Sequence, residues 1–130
     1  RRSSDLAEET FDACRLDWQR AEGEAGRARG ALVSRLINLR MRHVVPHLAG
    51  MRAMQGRCRM AGENAFTVEW AMNGARLFMA ANFGEDSPAE ARMEYFSPIY
   101  ESRKGVADAL RSGVIAATSV FVALISEPAR

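Results

Sequence analysis

A chain of 130 residues with a formal net charge of +2 has room for one modest core, and its 48% hydrophobic and 26% charged residues exclude intrinsic disorder. The eighteen basic side chains are spread from Arg1 to Arg130 among sixteen acids, so no basic stripe prompts a nucleic-acid partner. No run reaches the roughly twenty apolar residues of a membrane helix, no signal-peptide run follows Arg1-Arg2-Ser3-Ser4, and Cys14 and Cys58 lack metal-type spacing. The expectation is a cytoplasmic protein with unpaired thiols and no membrane partner.

The chain begins with Arg and a polar run, which reads as a piece of a longer protein. Residues 1–23 form a polar lead-in, acidic at Asp5, Glu8, Glu9, Asp12 and Asp17, with a small apolar set at Leu6, Phe11, Leu16 and Trp18. Extended or single-turn structure is expected there. Across residues 24–46, Ala28, Leu32 and Leu36, with Val33, Ile37 and Leu39 alongside, repeat at the three-and-four spacing of an amphipathic helix. Gly26 and Gly30 weaken its first turns, Arg40, Arg42 and His43 suit the carbonyl end of its dipole, and Pro46 stops it.

From residue 51 to 130 the period changes to two. Phe66, Val68 and Trp70 alternate with Thr67, Glu69 and Ala71, Asn73-Gly74 follows, and Leu77, Met79 and Ala81 alternate with Arg76, Phe78 and Ala80. This predicts a hairpin with a type I′ turn and places Phe66, Val68 and Trp70 together on the core side. Residues 84–88 read as a loop. Residues 92–100 read as a strand with Met93, Tyr95 and Ile99 as its inward candidates, interrupted at Pro98. Residues 118–126 form a strongly apolar strand, and residues 51–61 a further one around Met54 and Cys58. Residues 103–113 fit a helix, a strand or a loop. The fold class predicted is mainly β: a small antiparallel β-sandwich preceded by an N-terminal amphipathic helix.

A search for chemistry finds little. His43 and His47 have the i, i+4 spacing of a zinc pair, but Pro46 interrupts the helix between them and no HExxH glutamate is present. No G-x-S-x-G elbow, Walker loop or G-x-G-x-x-G occurs. The carboxylate pairs Glu8/Asp12 and Glu85/Asp86 fall in segments expected to be solvated, without the unlike environments that acid/base work requires. No catalytic residue, metal or cofactor is therefore expected within the chain. Trp70, Tyr95 and Tyr100 are the candidates for a ring on which a sugar could stack, with core packing the alternative at each.

Several runs, read in order, carry a resemblance: Phe11-Asp12-Ala13-Cys14-Arg15-Leu16-Asp17-Trp18, then Leu36-Ile37-Asn38-Leu39-Arg40-Met41-Arg42-His43-Val44-Val45-Pro46, then Phe66-Thr67-Val68-Glu69-Trp70, then Gly74-Ala75-Arg76-Leu77 with Ala81-Asn82-Phe83. Together they resemble the C-terminal portion of the malto-oligosyltrehalose trehalohydrolases, within the α-amylase superfamily (glycoside hydrolase family 13). The resemblance implies that residues 24–46 are the last helix of a (β/α)8 barrel and that the β domain packs on that barrel. It implies a parent enzyme that releases trehalose from maltooligosyl trehalose with two barrel carboxylates, neither of which has a counterpart here. The partners implied are the catalytic barrel of the same polypeptide and a maltooligosaccharide substrate. Arg15, Asp17 and Trp18 lie where a segment after the last barrel strand could approach substrate, with a packing role the alternative. The sequence departs from the resemblance at Ile115-Ala116-Ala117-Thr118, where a Pro-Trp pair is usual. As an isolated piece, such a domain is expected to self-associate through the apolar surface meant for the barrel.

Overall fold

The computed structural model describes residues 12, 14–15, 18–52, 55–89 and 96–126. The chain divides into two compact units, residues 1–37 and 38–130. The described part of the first unit is helical, with α1 (Trp18–Glu22) and most of α2 (Glu24–His43), whose last residues belong to the second unit. Helix α2 carries Glu24 in its first turn and Arg40, Arg42 and His43 in its last, each sign at the end where the helix dipole favours it. Pro46 does not simply stop the helix. It enters the first positions of a 3-10 turn, Val45–His47, where its missing N–H would lack an intrahelical partner in any case.

The second unit holds the predicted small antiparallel β domain. Five strands, β1 (Gly56–Met60), β2 (Ala65–Met72), β3 (Ala75–Asn82), β5 (Ser97–Glu101) and β7 (Ser119–Ser126), form one sheet in the order β1-β2-β3-β7-β5. A second sheet is made of two short strands, β4 (Ser87–Pro88), which falls in the stretch 84–88 expected to be a loop, and β6 (Val114–Ile115). The ambiguous stretch 103–113 contains a helix, α3 (Val106–Arg111), entered through Gly105 at φ +93°. Met54, Met93 and Tyr95, assigned to strands from the sequence, lie outside the described residues.

The hairpin forms at the expected dipeptide, with Met72 opposite Ala75. Its turn differs from expectation: Gly74 has φ +69°, while Asn73 is not in the left-handed region, so the pattern is that of type II rather than type I′. The physical reason lies in His47, which ties down both backbone groups of Asn73. The Asn73 N–H donates to the His47 carbonyl at 3.0 Å, and the Asn73 carbonyl lies 2.9 Å from His47 Nδ1.

The register gives the sheet two unlike faces. On one, Ala65, Phe78, Ala80, Phe121 and Ala123 are enclosed with Val106 and Leu110 of α3 and Ile115 of β6. Phe78, Phe96 and Phe121 meet at the centre, with ring centroids 4.9, 6.5 and 6.4 Å apart. The alanines keep this face shallow, which lets the helix and the short ladder approach the strands closely. On the other face Phe66, Val68, Trp70, Leu77, Met79, Val120 and Val122 are half-buried, beside Ala75, Ala81 and Leu124, which are buried. The enclosed core is thus on the side opposite to that expected from Phe66, Val68 and Trp70.

Candidate functional site

The enclosed face runs out before the sheet does. Beyond Phe78 towards the hairpin turn the same face is polar, because Glu69 is paired with Phe78, Ala71 with Arg76, and Arg57 of the edge strand with Glu69. Arg76 sits diagonally across from Glu69, and its Nη1 donates to Glu69 Oε2 at 3.2 Å, an ion pair open to solvent on both partners. Such an exposed pair contributes no more than about 1 kcal/mol to stability, so it orders the side chains more than it holds the fold.

These side chains line a cleft of about 480 Å³, bounded by Gln55, Arg57, Glu69, Ala71 and Arg76. A second hollow of about 320 Å³ lies alongside, bounded by Gly50, Met51, Met72 and Asn73 and sharing Gln55 and Ala71 with the first. The shared walls set the two hollows side by side at the end of the β2–β3 hairpin, the first lined by charged side chains and the second by more polar than apolar surface. The Gln55 side-chain oxygen accepts from the Arg52 N–H at 3.3 Å, and its NH2 donors remain for another partner.

The residues singled out from the sequence fall elsewhere. Trp70 lies on the half-buried apolar face, with its indole against the α-carbon side of Gly56, where an added Cβ would come within 2.8 Å of Nε1. Tyr100 is on the same face but on β5, paired with Val122 and separated from β2 by two strands. The structure does not bring these two rings together, and neither lines the groove; Tyr95 lies outside the described residues. Trp18 is 73% exposed, Arg15 lies 3.7 Å from Asp12, and Asp17 is outside the described residues. The groove residues had a signal that went unread. A two-residue loop at Asn73-Gly74 fixes the pairing of Ala71 with Arg76, and that register sets Glu69 and Arg76 diagonally on one face.

Three carboxylates of the β domain outside the groove have partners within the fold. Glu101 Oε2 accepts from the Ala107 N–H at 3.2 Å, Asp86 Oδ1 from the Ala117 N–H at 2.6 Å, and Asp108 from Arg111 at 2.7 Å. Among the described residues no three His, Cys, Asp or Glu side chains converge as a metal site, and no helix is long and apolar enough to cross a membrane.

No protein-family model matches the chain, and no curated protein matches it in sequence. Among solved structures it is similar to a candidate alpha amylase from Salmonella typhimurium, at 24% identity and a TM-score of 0.78. The similarity covers 92% of this chain but spans only 20% of that one. The two share a fold over that stretch, helix and β domain alike.

Proposed function

We propose that this chain is the non-catalytic C-terminal domain of an α-amylase-superfamily glycoside hydrolase, of the malto-oligosyltrehalose trehalohydrolase type, and that it stabilises the catalytic barrel. The supporting observation is the fold shared over nearly the whole of this chain with one-fifth of a candidate alpha amylase. The sequence runs quoted above add the trehalohydrolase specificity to that reading.

The surfaces suit the role. On α2, Leu32, Val33, Leu36, Ile37 and Met41 remain 39–56% exposed along one stripe. A half-exposed aliphatic side chain gains about 1 kcal/mol when its remaining surface is covered, so the stripe offers several kcal/mol to whatever packs on it. In this reading α2 is the barrel's last helix, the stripe faces the barrel, and the half-buried sheet face lies against barrel surface as well. Arg15, Asp17 and Trp18 then follow the last barrel strand and anchor α2 beside the substrate-bearing end.

The coding sequence upstream of Arg1 tests this directly. Alternating strands and helices of a barrel, ending in this chain, are expected; an unrelated domain or a start codon there overturns the reading. In the full protein, Leu36→Asp is expected to lower the thermal midpoint of trehalose release from maltooligosyl trehalose while leaving the carboxylate chemistry intact. Release of maltose from starch in place of trehalose would retain the barrel reading and remove the trehalohydrolase specificity.

A further inference from the structure

Strand β1 is one edge of the five-stranded sheet, and every one of its residues, from Gly56 to Met60, is exposed. Where the β1–β2 ladder ends, the Ala61 N–H donates to the Ala65 carbonyl at 2.8 Å. Backbone groups alternate in direction along an antiparallel pair, so Arg57 and Arg59 turn theirs towards β2. Those of Gly56, Cys58 and Met60 point out of the sheet, as a template for one more strand.

The side chains decide which strand fits. Arg57 and Arg59 project to one side of the edge, and neither forms an ion pair with a described residue. On the other side Met60 is 63% exposed and stands opposite Phe66, whose ring lies 6.2 Å from that of Phe83, itself 70% exposed. An added strand therefore meets positive charge on one face and an apolar corner on the other.

A second copy of this chain is a poor match. Pairing two β1 edges about Cys58 sets Arg57 of each copy opposite Arg59 of the other, a like-charge contact on both sides of the centre. Acidic residues in those two places reverse the sign. Glu69 faces Arg57 from β2, but it stands two strand spacings, about 10 Å, from the added strand, far enough for salt to screen most of its repulsion.

We infer that β1 is a docking edge for an extended segment of another polypeptide in which acidic and apolar residues alternate. The acids lie opposite Arg57 and Arg59, and the apolar residues opposite Cys58 and Met60. The inference rests on the register and charge of the edge and does not depend on the amylase reading.

The test is titration of the 15N-labelled 130-residue chain with the peptide Ac-VEVEV-NH2, and with Ac-VKVKV-NH2 as its charge-reversed counterpart, each to about 5 mM. Saturable amide shifts along β1 with the acidic peptide are expected. Hydrogen exchange should slow at the Cys58 and Met60 N–H groups, which an added strand engages and a loose ionic contact does not. Arg59→Glu, at an exposed position opposite Thr67, should weaken binding of the acidic peptide about fivefold and strengthen that of the lysine peptide. Equal binding of the two peptides, shifts without slower exchange at Cys58 and Met60, or no saturable shifts would each overturn the inference. So would exchange at those two amides that slows with concentration in the chain alone, which would assign the edge to a second copy.

Discussion

Asn82 is the buried side chain that ties the two sheets together. It ends β3, and its amide donates to the carbonyl of Ile115 in β6 at 2.9 Å and of Glu85 at 2.6 Å, while its oxygen accepts from the Gly84 N–H at 2.9 Å. Alanine there would strand two carbonyls and an N–H in a site 1% exposed, so Asn82→Ala should cost about 3 kcal/mol in a urea melt. Thr118 shows the opposite balance. It holds φ +44°, a region costly for a β-branched residue, because the Thr118 N–H bonds to the Gly84 carbonyl at 3.1 Å and Ala117 is bound on both sides, by Asp86 and Arg103. Thr118→Gly should therefore raise stability, by about 1 kcal/mol, and a fall in the urea midpoint would contradict that account. His47→Ala removes the side-chain half of the Asn73 clip and should cost about 1 kcal/mol, with faster hydrogen exchange confined to the hairpin turn.

At the scale of elements, the legible parts were those whose cause is local. The spacing of Leu32, Leu36, Val33 and Ile37 fixed α2, and Asn73-Gly74 fixed the position of the hairpin. What periodicity could not decide was which face of an apolar sheet is enclosed, because β3 and β7 carry hydrophobic residues on both sides. The answer came from α3 and the β4–β6 ladder: the helical spacing of Val106, Ala109 and Leu110 runs for only six residues, too few to decide between helix, strand and loop, and two-residue strands have no alternation. The groove was hidden for a related reason. Its charged members are exposed residues, unremarkable singly, that only the hairpin register sets side by side. Because the enclosed side is the one bearing Phe78, Phe78→Ala should cost about 4 kcal/mol, the range for a large aromatic lost from a packed core. Val68→Ala on the other face should cost clearly less, and equal losses in the two melts would show that the faces are equally enclosed.

For the whole molecule, one apolar sheet face and one helical stripe offer more hydrophobic surface than a solitary domain ordinarily leaves in contact with water. The isolated 130-residue chain is expected to self-associate, seen as a mass that rises with concentration in light scattering. Val122→Glu, opposite Met79 and Tyr100 at the middle of the apolar face, should shift it towards monomer. A wild-type chain that stays monomeric at high concentration would show these surfaces to be satisfied within one copy. The strand order carries a consequence for biosynthesis. β7 comes last in the chain yet lies between β3 and β5, paired along its length with residues made some forty positions earlier. A ribosome must therefore release residues 119–126 before β3 gains its second neighbour, and until then the β1–β3 meander waits with an open edge. Completion of the sheet is timed by the synthesis of β7, and a message cut short of β7 yields a chain that quality control can recognise by the unpaired edge of β3.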